Sequence, residues 1–61
     1  ALLNAVEQRL MEAQKYVVGL NSRAEDAVRQ GQDAAGFRRK TTEVQAYMSV
    51  LVEIKNLLMQ S

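Results

Sequence analysis

Proton transfer, metal binding and nucleophilic attack each need particular side chains, and this 61-residue chain offers few of them. It has no His and no Cys. The acids are Glu7, Glu12, Glu25, Asp26, Asp33, Glu43 and Glu53. Most of them alternate with bases, as on a solvated helix surface, rather than converging as metal ligands do. Ser22, Ser49 and Ser61 lack a His base, and no Lys or carboxylate stands at a spacing that would activate them. Gly19, Gly31 and Gly36 match no phosphate-cradling loop. No catalytic, metal or cofactor site is expected, and the chain reads as non-enzymatic.

Charge excludes further classes. The net charge of +1 provides no clustered basic face for nucleic acid. The one basic run, Arg38-Arg39-Lys40, reads as a solvated patch near the start of a helix. Because a helix N-terminus favours anions, these residues are expected to pair with an acidic neighbour or partner. No apolar run approaches the ~20 residues needed to cross a bilayer, and no signal-peptide pattern is visible in these residues.

With so little chemistry available, the informative pattern is the one that positions helices. Leu3, Val6, Leu10, Ala13, Val17, Leu20, Ala24 and Ala27 follow one another at spacings of 3 and 4, which lines one face of a helix against a partner helix. Pro is absent. The pattern predicts a first helix over about 2–30, with Asn4 as an alternative cap, a turn over about 31–33 and a second helix over about 34–59. Gly31 suits the left-handed residue that ends a helix, and Asp33 suits the cap of the next. So short a connection implies an antiparallel pair, an all-α two-helix hairpin forming a single domain. Glu12 with Lys15 and Glu25 with Arg29 are spaced for surface ion pairs.

A chain of this size buries only roughly 60% of its unfolded surface, and disulfides are excluded. Extra stability should come from another chain or from close helix packing. The second helix supports the first option. Phe37, Val44, Met48, Leu51 and Leu58 make one stripe with Thr41, while Tyr47, Leu51, Ile54 and Leu58 make an overlapping one. Val50, Val52, Leu57 and Met59 fall outside both. One neighbouring helix needs an apolar stripe of only about 100°, so the surplus implies a partner-facing surface. Tyr47, Met48, Leu51, Val52, Ile54 and Leu58 are the expected contacts, with Phe37 closing the turn end opposite Ala24 and Ala27. Periodicity leaves open which of them face the sister helix. Either a different chain or a second hairpin, in a self-associating four-helix bundle, would serve.

From about Gln8 to Leu58 the chain resembles the YscE-like small co-chaperones of bacterial type III secretion. The resemblance rests on size, on the hairpin plan, on the turn Gly31-Gln32-Asp33-Ala34-Ala35-Gly36-Phe37, and on the closing amphipathic segment Val44–Leu58. It implies a cytoplasmic bacterial protein that stabilises a larger tetratricopeptide-like chaperone. Together the two would hold a needle subunit monomeric until export. Needle and inner-rod subunits, which polymerise, are also short helical hairpins, and Ala46-Tyr47-Met48-Ser49-Val50 loosely resembles the start of their closing helix. Only 14 residues follow Tyr47, fewer than such subunits carry.

Overall fold

A computed structural model describes residues 1–60. Two helices, α1 (Leu2–Arg29) and α2 (Ala35–Gln60), run antiparallel as a hairpin with principal extents of 50 × 15 × 11 Å. Neither is long and apolar enough to cross a membrane. Ser61, one of the serines weighed above, lies outside the described residues.

The start of α1 is plain. Ala1 occupies the cap position without a side-chain hydrogen bond, and its carbonyl accepts from the Ala5 N–H at 3.2 Å. Asn4 lies inside the helix and does not cap it. The end of α1 is more elaborate. The Gly31 N–H donates to the Val28 carbonyl (3.0 Å) and the Gln32 N–H to the Ala27 carbonyl (2.8 Å). This is the paired closure of a Schellman motif, and it requires a left-handed residue at the position after the cap. Gly31 supplies it with φ +73°.

α2 begins with its own device. The Asp33 Oδ1 accepts from the Ala35 N–H at 2.9 Å, satisfying one of the donors that a helix start leaves open. The Ala34 carbonyl accepts the first helical bond, from Arg38, at 3.0 Å. Asp33 therefore acts one position ahead of the cap residue itself.

Between the helices lies a thin core. All eight stripe positions of α1 face inward. Val6, Ala13, Val17, Leu20, Ala24 and Ala27 are buried, and Leu3 and Leu10 are half-buried toward the open end. The opposing row of α2 is Ala34, Phe37, Thr41, Val44, Met48, Leu51, Lys55 and Leu58, again at spacings of 3 and 4 and all buried or half-buried. At the turn, Ala24, Ala27 and Ala34 form one cluster, and the Phe37 ring packs against it. Three small side chains leave the space that one ring fills. Thr41 is the polar member of the core, and its Oγ1 donates to the Phe37 carbonyl at 3.0 Å, so among the described residues no buried side-chain polar atom is left unsatisfied.

Two glycines in this region give opposite expectations for one substitution. Gly31→Ala forces a side chain into the left-handed region and should cost about 1–2 kcal/mol. Gly36, in the first turn of α2 with nothing within 4 Å of an added Cβ, should gain about 0.5–1 kcal/mol as Ala. Thermal unfolding followed by circular dichroism should show the midpoint fall in the first variant and rise in the second.

Candidate binding surface

The hairpin seam decides what the rest of α2 presents. At about 100° per residue, a helix whose seam runs through Ala34, Thr41, Met48 and Lys55 turns a second set of positions about 110° away. In α2 that set is Gly36, Lys40, Glu43, Tyr47, Val50, Ile54 and Leu57. Its last four members are all large and apolar, and all are exposed: Tyr47 44%, Val50 53%, Ile54 38% and Leu57 65%. They form one continuous strip along the C-terminal half of α2.

This arrangement sorts the expected contact residues. Phe37, Met48, Leu51 and Leu58 lie on the seam against the sister helix. Leu51 is only 5% exposed. Assigning Leu51 to a partner surface is therefore corrected, since it is committed to the hairpin itself, while Phe37 closes the turn end against Ala24, Ala27 and Ala34 as expected. Tyr47 and Ile54 lie on the exposed strip. Val52 lies on the opposite side of the α2 seam with Met59, where Gln45, Ser49 and Asn56 stand between the apolar residues of that helix. Val50 and Leu57 complete the strip, and the overlapping stripe through Leu51 and Leu58 concealed them. Continuing the 3–4 spacing from Ala34 through Lys55 would have found them.

On the same side, α1 contributes Ala5, Arg9, Glu12 and Tyr16. These residues, with Lys40, Glu43, Val44 and Tyr47 of α2, line an open groove of about 790 Å³. Both signs of charge are present, and both tyrosines line it. Lys40 Nζ reaches Glu43 Oε2 at 3.8 Å, so part of the basic triplet finds its acid one turn along the same helix. Arg38 and Arg39 are exposed to solvent. At the end of α1, Arg29 bridges Glu25 (3.7 Å) and Asp26 (3.4 Å). All these pairs are exposed, and such pairs contribute little. The anticipated Glu12–Lys15 pair is not formed. Glu12 lines the groove beside Tyr16, whereas Lys15 lies along the other side of the hairpin with Met11 and Met48.

Among the described residues, no three carboxylates gather where they could hold a metal ion. The Ser49 hydroxyl donates to the Gln45 carbonyl at 3.1 Å, and Ser22 is exposed on α1. What the surface offers is an apolar strip bordered by a charged groove. It can bury side chains against another helix and set their register by charge.

The same substitution distinguishes seam from strip. Leu51→Asp places a charge in the seam and should cost several kcal/mol, unfolding so small a chain. Leu57→Asp should leave helix content within error of the native value. Far-ultraviolet circular dichroism at a fixed concentration separates the two outcomes. No family model, no curated protein and no solved structure matches this chain.

Proposed function

We propose that this chain is a non-enzymatic protein-binding module, the small member of a helical complex, acting as a type III secretion co-chaperone in the bacterial cytoplasm. The observation that carries the reading is the exposed strip Tyr47–Val50–Ile54–Leu57, beside a seam already filled by other residues. Burying a large apolar side chain contributes about 1.5–3 kcal/mol when burial is complete. Four half-exposed ones therefore hold enough free energy to decide whether a 61-residue hairpin stays folded.

The resemblance of the turn and closing helix to YscE-like co-chaperones supports the choice of partner: a larger chaperone of tetratricopeptide-like repeats and, through it, a needle subunit. Such repeats present the helical grooves into which an amphipathic helix docks. The mechanism is mass action. The hairpin binds the folded partner and not the unfolded one, and so stabilises it in proportion to the logarithm of its concentration over the dissociation constant.

Affinity capture of the tagged chain from source-cell lysate tests the reading when it is run beside a strip variant. The native chain should recover a larger helical-repeat protein in stoichiometric amount. Ile54→Asp should lose that protein while keeping its helix content. Recovery of no partner, or equal recovery by both chains, would overturn the assignment.

A further inference from the structure

In the absence of a larger partner, the strip Tyr47–Val50–Ile54–Leu57 faces solvent, and the face itself points to an occupant. Resting on the binding reading, we propose that two copies of the chain pair through this face about a single two-fold axis, as an antiparallel four-helix bundle.

The strip on α2 is spaced 3, 4, 3, which is the same read in either direction. Turned end for end about position 52, Tyr47 comes level with Leu57 of the second copy, and Val50 with Ile54 of the second copy. These are the alternating layers of an antiparallel helix pair. On α1 the residues Ala5, Arg9, Glu12 and Tyr16 are spaced 4, 3, 4, again a palindrome. Reversed about a point between Leu10 and Met11, Arg9 meets Glu12 of the second copy and Glu12 meets its Arg9. In the same reversal the small Ala5 comes opposite the large Tyr16. Charge and size are therefore complementary when the face meets itself, which is the condition for a two-fold interface.

One axis serves both helices. Counting outward from the Ala27 and Ala34 cluster at the turn, the midpoint on α1 is level with position 50 or 51 on α2. At 1.5 Å per residue that is within about 2 Å of the α2 midpoint. The strip also points about 110° round α2 from the seam, close to the right angle at which neighbours surround a helix in a four-helix bundle.

Because the axis lies toward the open end, the two hairpins overlap over about 25 Å, half of their 50 Å length. With a width of 15 Å, that is on the order of 400 Å² per copy, against the ~800 Å² of stable complexes. The pair is therefore weak and reversible. It covers the strip in the free protein and gives way to a partner that offers a larger interface.

Sedimentation velocity of the full chain, from low micromolar to near-millimolar concentration, tests the pairing. The native chain should show a reversible monomer–dimer equilibrium. Arg9→Glu turns two attractions into two repulsions and should weaken it by about tenfold, and Arg9→Glu combined with Glu12→Arg should restore it. Circular dichroism of each variant confirms that the helices are intact, since both positions lie on the groove rather than in the seam. A native chain that stays monomeric throughout would overturn the proposal, as would a dimer indifferent to Arg9→Glu or not restored by the double exchange. A monomer that still captures a helical-repeat protein through Ile54 removes the pairing and keeps the proposed function. A dimer that captures nothing keeps the pairing and removes that function.

Discussion

Two helices have one interface between them, and every other property of this molecule depends on how much that interface buries. The seam uses alanine at Ala13, Ala24, Ala27 and Ala34, which lets the backbones approach closely but buries little apolar area per residue. Larger residues, Val6, Val17, Leu20 and Leu51, supply the rest. Among the described residues, no large side chain falls below 2% exposure. A third or fourth helix would close the ring around this core. Its absence from the hairpin leaves one side of α2 apolar and exposed.

The turn converts this narrow seam into a fixed geometry. Gly31 closes α1 and Asp33 opens α2 within a few residues, so the rotation of α2 about its own axis is set before its apolar half begins. Phe37 then locks against Ala24, Ala27 and Ala34. From that point the 3–4 spacing carries the seam onward through Thr41, Val44, Met48 and Leu51. The strip is thus oriented by residues ten or more positions away at the turn.

The sequence disclosed the hairpin because α1 carries a single apolar stripe, and the residues of that stripe are the ones that turn inward. The Gly31 and Asp33 signals placed the turn for the same reason: each serves a backbone need that few other residues meet. The surface was harder to read. Between Val44 and Met59 apolar residues occur at nearly every rotational position, so several stripes fit equally well when α2 is considered alone. The true seam passes through Thr41 and Lys55, which an apolar count discards. Thr41 is tolerated because its hydroxyl bonds to its own helix. Lys55 is tolerated because a long side chain can cover the seam with its methylenes while its ammonium reaches water.

Lys55 also has a kinetic consequence. The turn end brings residues together across a very short loop, which costs little chain entropy, and its alanine–phenylalanine cluster can form first. Pairing then proceeds toward the termini, where the half-buried Leu3, Lys55 and Leu58 make the weakest part of the zipper. That end carries Ile54 and Leu57. Whatever binds there adds contacts where the seam is only half-buried, so a modest contact at the end farthest from the turn slows separation of the whole pair of helices.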